Sequence, residues 1–197
     1  MILNSKVLGA DEKKIIILHG FLGSLDNWVT FAKKLSNNGY EVHLIDQRNH
    51  GKSFHSDDFN YELMANDLYK YLYEKNINKT SILGHSMGGK TAMLYSLMYP
   101  DTINKLIVVD ILPVNYNTNY DEIFEALLEI DLKEIKSRND FNIHLNKHFD
   151  DPNFILFLSK NLQRTSDGGF NFKSNIKVLY KKYKNITCLL YTSDAAD

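Results

Sequence analysis

Cysteine, proline and arginine are scarce in this sequence of 197 residues, which contains one, three and three of them. The single cysteine leaves no second thiol for a disulfide within the chain. Neither sign of charge is in excess, because 23 lysine and arginine residues face 24 aspartate and glutamate residues. This balance gives no electrostatic footprint for nucleic acid or for an anionic membrane surface, so we expect neither as a partner.

Long apolar runs are also lacking. No stretch reaches the length of a membrane-spanning helix, and residues 1–14 lack the charged head and apolar run of a signal peptide. We therefore expect a cytoplasmic protein. Hydrophobic residues make up 44% of the sequence, which is enough to fill the core of one sizeable soluble domain.

The last ten residues, 188–197, differ from the rest of the chain. Their codons can spell the adaptor of transposon-based sequencing libraries, and two of the seven alanines lie in the last three positions. We expect this segment to be a sequencing artefact and the natural protein to continue past Thr187 with other residues. Cys188 is then not a native residue.

Strand and helix patterns alternate through the first 113 residues. Short apolar runs predict strands at residues 2–8, 15–18, 42–46, 81–83 and 106–110. Amphipathic patterns between them predict helices at residues 26–37, 61–75 and 87–98. This alternation is typical of an α/β fold with a doubly wound, mostly parallel sheet. Functional residues of such folds lie just after the strands, at the carboxyl edge of the sheet.

The fourth predicted strand leads into Gly84-His85-Ser86-Met87-Gly88, a G-x-S-x-G motif that is followed by helix-forming residues. This is the pattern of a nucleophile elbow, in which a serine occupies a strained strand-to-helix turn. Side chains two positions before and after the serine would collide with the crossing strand and helix, and glycine avoids that collision. We expect Ser86 to be a nucleophile at a helix N-terminus. The alternative is a glycine-rich turn with an incidental serine.

The second predicted strand is followed by the loop His19-Gly20-Phe21-Leu22-Gly23-Ser24. A loop here can direct the backbone N–H of Phe21, together with that of Met87, at the oxyanion of a tetrahedral intermediate. The alternative is a plain glycine-rich connector. We expect His19 to organise the loop by hydrogen bonding, since a fold with this elbow takes its catalytic base from near the end of the chain.

The third predicted strand is followed by residues 46–53, which include Arg48 and the turn Asn49-His50-Gly51. Arg48 can bridge neighbouring loops through its planar guanidinium group. We expect a structural role for this loop. The alternative is that His50 or His55 lines a pocket.

Asp110 ends the fifth predicted strand. A carboxylate at this edge can hold a histidine in the tautomer that a serine nucleophile needs. The alternative is an aspartate that caps the following turn.

From residue 114 to residue 169 the pattern changes to helices without strands, at 120–136, 141–149 and 154–163. A helical insertion after a strand is typical of a cap over an active site. His144 and His148 lie four positions apart, which would allow joint metal binding. No third ligand is evident from the sequence, so we expect packed or exposed histidines and no metal. A further helix is predicted at 176–183.

Together these motifs resemble the α/β-hydrolase family, and most closely its YbfF-type small bacterial esterases and their mitochondrial abhydrolase relatives. The resemblance runs from about residue 15 to residue 186. It is carried by residues 19–28, 46–53, 81–90 and 109–114, with Gly168, Gly169, Phe170, Asn175 and Tyr183. It implies that Ser86 is the nucleophile and that Asp110, which matches the position after the sixth sheet strand of the family, is the triad acid.

The triad order of this family is serine, acid, histidine, with the histidine in a loop after the last strand. No histidine follows His148 in this chain, and His144 and His148 fall within the cap pattern. We therefore expect the catalytic histidine to be absent, with a further unit of roughly 40 to 70 residues that would carry it. The chain as given should then be nearly inactive.

The resemblance implies a serine hydrolase that cleaves carboxylic ester or thioester bonds of small acyl substrates through an acyl-enzyme intermediate, without a cofactor or metal. One alternative is lyase or carbon–carbon hydrolase chemistry on the same fold, and another is a non-catalytic binding protein. The expected organisation is an α/β core at 1–113, a helical cap at 114–169, a return towards the core at 170–187 and the artefact at 188–197.

Overall fold

The computed structural model describes residues 1–116 and 118–187. The segment 188–197, which we expect to be a sequencing artefact, lies outside the described residues. The strands of the described part are β1 (Ser5–Leu8), β2 (Lys14–Leu18), β3 (Glu41–Ile45), β4 (Thr80–His85), β5 (Ile103–Val109), β6 (Leu162–Arg164) and β7 (Phe170–Phe172). The helices are α1 (Val29–Ser36), α2 (Tyr61–Glu74), α3 (Met87–Met98), α4 (Asp121–Leu128), α5 (Arg138–Leu145), α6 (Pro152–Ser159) and α7 (Ile176–Lys182).

The main sheet has five strands in the order β1-β3-β2-β4-β5. Strands β3, β2, β4 and β5 run parallel, and β1 pairs with β3 in the antiparallel direction. At the centre of the sheet, Ile17 pairs with Leu44 on one side and with Leu83 on the other. The predicted doubly wound, mostly parallel sheet is confirmed, and β1 is shorter than the predicted strand.

Helices cover both faces of the sheet. Ile15 and Ile17 of β2 face one way and share a buried cluster with Ala32 of α1. Ile16 faces the other way and shares a cluster with residues of α2 and α3, among them Tyr95. Because successive side chains of a strand point to opposite faces, a strand buried on both faces needs the continuous β-branched run seen in the sequence.

The segment after β5 contains α4, α5 and α6, but it also contains strands. The expectation of helices without strands between residues 114 and 169 is wrong, because β6 and β7 pair as an antiparallel hairpin. Its turn is closed by a hydrogen bond from the Thr165 N–H to the Gly169 carbonyl, and Gly168 has a φ of 88°, which favours glycine. In the sequence, the signal for β7 is the alternation of apolar Phe170, polar Asn171 and apolar Phe172.

The first predicted cap helix, 120–136, is too long. Helix α4 ends at Leu128 and is followed by turns. The Asp131 side chain accepts a hydrogen bond of 2.9 Å from the Lys133 N–H, a local alternative to helical bonding that aspartate favours. The shorter helix lets the chain reverse before α5.

The cap and the core share one apolar cluster. Phe124 and Leu127 of α4 are fully buried in it together with Phe21 and Met64 of the core. This shared burial fixes the cap over the carboxyl edge of the sheet. None of the helices in residues 1–116 and 118–187 is both long enough and apolar enough to cross a membrane.

Candidate active site

Ser86 occupies the junction between β4, which ends at His85, and α3, which begins at Met87. Its φ of 50° and ψ of −116° are unusual for a residue with a side chain. The Ser86 N–H donates a hydrogen bond of 3.0 Å to the Val109 carbonyl at the end of β5, which holds the turn against the sheet. A strained serine at a strand-to-helix junction is the geometry that the G-x-S-x-G motif predicts.

The two glycines of the motif are required by close approach of the backbone. A Cβ atom on Gly84 would overlap the carbonyl oxygen of Gly88. A Cβ atom on Gly88 would lie 2.5 Å from the Leu18 carbonyl oxygen. The steric reason that the sequence gives for both glycines is therefore confirmed.

The loop after β2 packs directly against the elbow. A Cβ atom on Gly20 would lie 2.9 Å from the His85 ring and 3.3 Å from the Ser86 Cβ atom. Among the described residues, neither the Phe21 N–H nor the Met87 N–H donates a hydrogen bond to another backbone or side-chain atom. Both amides are therefore available to a ligand. Their oxyanion role remains a prediction.

Leu22 follows Phe21, and its backbone N–H and carbonyl are both hydrogen-bonded to side chains from distant parts of the chain. Its N–H donates to Nε2 of His50 (3.2 Å), and its carbonyl accepts from Nδ2 of Asn161 (2.7 Å). The φ of Leu22 is 55°, a conformation that L-residues rarely adopt. These two bonds therefore fix the loop in which Phe21 lies, and the sequence alone does not indicate them.

His19 organises the same loop, as expected. Its Nε2 accepts a hydrogen bond of 3.0 Å from the Gln47 N–H, and its Nδ1 is 2.8 Å from the Gly20 carbonyl. The Gln47 side chain returns a hydrogen bond to the His19 carbonyl (2.8 Å). Burial lowers the pKa of His19, so the ring is neutral and its Nε2 is available as an acceptor.

Arg48 has the predicted bridging role. Its guanidinium group donates two hydrogen bonds to the Asp67 carboxylate of α2 (2.6 and 2.9 Å) and one to the Asp58 carbonyl (2.9 Å). The side chains of Arg48 and Asp67 are both buried. His50 is buried and does not line either cavity at Ser86, and His55 is exposed and contacts the Lys173 carbonyl (3.1 Å). The structural interpretation of this loop is therefore supported over the pocket-lining one.

Asp110 directly follows β5, at the same edge of the sheet as Ser86. Its side chain is 87% exposed, and its Oδ2 lies 3.8 Å from Nε2 of His85. No hydrogen bond within the described residues joins a histidine ring to the Ser86 hydroxyl. Asp110 is therefore close to the elbow and accessible, and its role as triad acid remains a prediction.

Ser86 borders two cavities. The larger has a volume of about 550 Å³ and is lined mainly by aromatic and aliphatic side chains, among them Trp28, Phe31, Ile123, Phe154 and Phe157. The smaller, about 210 Å³, is also lined by Phe21 and Ser86, together with Lys90 and Tyr116.

Two phenylalanines of the cap face in different directions. Phe157 of α6 lines the larger cavity, whereas Phe124 of α4 is buried in the shared core. The sequence does not distinguish them, because both are apolar residues on amphipathic helices.

Comparison with known proteins agrees with this geometry. The family model described as "alpha/beta hydrolase fold" matches residues 13–187. The chain is 36% identical over 177 residues to Esterase YbfF of Escherichia coli, covering 89% of this chain and 67% of that protein. It is 33% identical over 183 residues to the sn-1-specific diacylglycerol lipase ABHD11 of Danio rerio, covering 89% of this chain and 57% of that protein.

A solved structure titled "Marine microorganism esterase" is also similar, with a TM-score of 0.93 and 40% identity, covering 98% of this chain and 76% of that one. The chain spans 57% to 67% of the length of four curated relatives that it matches. The match of fold, elbow and sequence over most of the chain shows that it belongs to the α/β-hydrolase fold family, where it is similar to esterases of the YbfF type.

Proposed function

We propose that the protein is a serine hydrolase that cleaves carboxylic ester or thioester bonds of small acyl substrates. The observation that carries this proposal is the strained backbone of Ser86 beside an apolar cavity of about 550 Å³. Strain at a nucleophile turn persists only where the surrounding structure enforces it, and it is typical of functional sites. The names of the relatives, which are esterases and lipases, support the same class of reaction.

In this proposal, the Ser86 Oγ atom attacks the carbonyl carbon of the substrate and its proton passes to a histidine base. The Phe21 and Met87 amides stabilise the oxyanion of the tetrahedral intermediate. The intermediate collapses to an acyl-serine, and the alcohol or thiol leaves with the proton from the histidine. Water then attacks the acyl-serine by the same steps and releases the acid.

Within residues 1–116 and 118–187, no histidine ring is hydrogen-bonded to the Ser86 hydroxyl as a base would be. We propose that the histidine base lies in a part of the full-length protein beyond residue 187, where Asp110 would orient it. The exposure of Asp110 leaves its carboxylate accessible to such a partner. Apolar residues of β5 are also open to solvent, including Ile107 at 40% exposure, as expected of a strand that further structure covers.

The larger cavity would receive the apolar acyl chain. Phe31, Phe154 and Phe157 offer apolar contact area, and the cavity volume suits a small acyl group.

A fluorophosphonate probe tests the nucleophile in the full-length protein. We expect covalent labelling of one serine, with no labelling in the Ser86→Ala variant. A matched control is Ser96→Ala on the same helix, which should label like the parent. Labelling that persists in Ser86→Ala, or an unlabelled parent that nevertheless folds, would contradict the proposal.

A further inference from the structure

Three side chains of types that commonly ligate metals lie together in the cap. Glu129 directly follows α4, His144 is in α5, and His148 is in the turn after α5. One ligand atom from each lies within 4.8 Å of the other two. The sequence does not indicate Glu129 as a third candidate ligand for this histidine pair, because it comes from the end of a different helix and is brought in by folding.

Two of the candidate ligand atoms in this cluster are nearly as close to each other as two ligands of one metal ion. Nε2 of His148 lies 3.6 Å from Oε2 of Glu129, and the rings of His144 and His148 have centroids 5.3 Å apart. Two nitrogen or oxygen ligands on one tetrahedral zinc ion are separated by roughly 3.4 Å, given metal–ligand distances of about 2.1 Å. The Glu129 side chain is 62% exposed, so it has room to rotate towards the two histidines.

The backbone around the cluster also favours a cation. Nε2 of His144 lies 3.2 Å from the Ala126 carbonyl, one of the last carbonyls of α4, which holds the ring against the end of that helix. Glu129 directly follows the carboxyl end of α4 and His144 lies in the last turn of α5, and the carboxyl end of a helix carries partial negative charge.

We propose that Glu129, His144 and His148 bind a divalent transition-metal ion of the zinc class. Two imidazoles and one carboxylate are a ligand set that suits zinc, whereas Mg²⁺ and Ca²⁺ prefer all-oxygen sites. The partial exposure of the cluster leaves a fourth position to water.

The ion would join the end of α4 to the connection that leads into α6. Ile123 of α4 and Phe157 of α6 both line the larger cavity beside Ser86. A bound ion would therefore link the two cap helices, α4 and α6, that line this cavity. This binding does not depend on the hydrolase function, so it is tested by metal affinity and not by activity.

The test is titration of the 197-residue chain with Zn²⁺ in competition with a chromophoric chelator, with no polyhistidine tag and in a Cys188→Ser background that removes the thiol. We expect one Zn²⁺ per chain and no competition by Mg²⁺. His148→Gln and Glu129→Gln should each weaken Zn²⁺ binding by more than the about 10- to 100-fold that loss of an outer partner costs.

Matched controls use the same substitutions outside the cluster. His55→Gln and Glu122→Gln should bind Zn²⁺ like the parent, and Zn²⁺ should raise the melting temperature of the parent but not of Glu129→Gln. Because Glu129 is exposed, this variant should fold even if His148→Gln does not. Equal affinity in the parent and Glu129→Gln, equal losses in the controls, or an equal effect of Mg²⁺ would overturn the proposal.

Discussion

The backbone N–H of Leu22 donates a hydrogen bond to Nε2 of His50, 28 positions further along the chain. Nδ1 of His50 lies 2.9 Å from the Arg48 carbonyl, which can only accept, so Nδ1 carries the proton and Nε2 the lone pair. The bond therefore requires a neutral imidazole. Burial lowers the pKa of His50 from 6.5 to about 3, which keeps the ring neutral under ordinary conditions.

This pKa predicts a pH dependence of stability. Between pH 6.5 and about 3 the unfolded chain binds a proton at His50 and the folded chain does not, so the free energy of unfolding falls as the pH is lowered. His50 alone contributes about 1.4 kcal/mol per pH unit in this window. Urea unfolding of the 197-residue chain at several pH values from 4 to 7 measures the slope.

The matched variant is His50→Gln, whose side-chain oxygen can accept the same bond from Leu22 but does not titrate. Its slope should be smaller than that of the parent by about 1.4 kcal/mol per pH unit. The neighbouring His19, whose ring centroid is 5.1 Å away and whose pKa is also lowered by burial, is present in both proteins and titrates in both. Identical slopes would mean that His50 does not titrate as proposed.

Gly88→Ala should destabilise the 197-residue chain by at least about 2 kcal/mol, because the new methyl group would lie 2.5 Å from the Leu18 carbonyl oxygen. The control is Gly169→Ala, where the nearest atom is the Thr165 hydroxyl oxygen at 3.2 Å on an exposed turn. Gly169→Ala should lower the free energy of unfolding by less than about 1 kcal/mol. Urea unfolding at pH 7 compares them, and a Gly88→Ala cost as small as that of the control would refute close packing at the elbow.

Arg48→Lys should lower the free energy of unfolding by about 2 kcal/mol or more. Lysine cannot make the paired bonds to the buried Asp67 carboxylate or reach the Asp58 carbonyl with the same planar geometry. Asp26→Asn removes an exposed ion pair with Lys173 and should change stability by less than about 0.5 kcal/mol. If both changes altered the free energy of unfolding by similar amounts, the hydrogen bonds of Arg48 would contribute little to stability.

In the full-length protein, Phe157→Trp should shift the preference towards substrates with shorter acyl chains, because a larger ring reduces the volume of the cavity that Phe157 lines. We expect kcat/KM for p-nitrophenyl decanoate to fall about 10-fold relative to that for p-nitrophenyl butyrate. Leu156→Trp is the control, since Leu156 lies on the same helix, is 54% exposed and does not line this cavity. An unchanged ratio in Phe157→Trp would place the acyl chain elsewhere.

The 197-residue chain itself should hydrolyse p-nitrophenyl butyrate far more slowly than about 1 per second, a rate at the low end for enzymes. The physical reason is that a serine hydroxyl without a histidine base is a weak nucleophile. Steady-state assays with the Ser86→Ala variant as the blank measure this. Turnover near 1 per second that Ser86→Ala abolishes would mean that a histidine within this chain is the base.

Much of the core follows from the sequence. The predicted helix at 87–98 matches α3, and the helix predicted at 61–75 ends one residue beyond α2. The elbow is predictable because its determinants, Gly84, Ser86 and Gly88, lie within five consecutive residues and act on the local backbone. Prediction is less accurate in the cap, where short turns such as that at Asp131 end helices early.

The sequence by itself determined the order of strands and helices in the α/β core, the strained turn at Ser86 and the glycines around it, since these depend on side-chain periodicity and on sterics between near neighbours. Only the tertiary structure decided that His50 holds Leu22, that Phe157 faces the cavity while Phe124 faces the core, and that Glu129 lies beside His144 and His148. Those relationships join residues on separate elements, and their geometry depends on how the helices and loops pack, which local pattern does not specify.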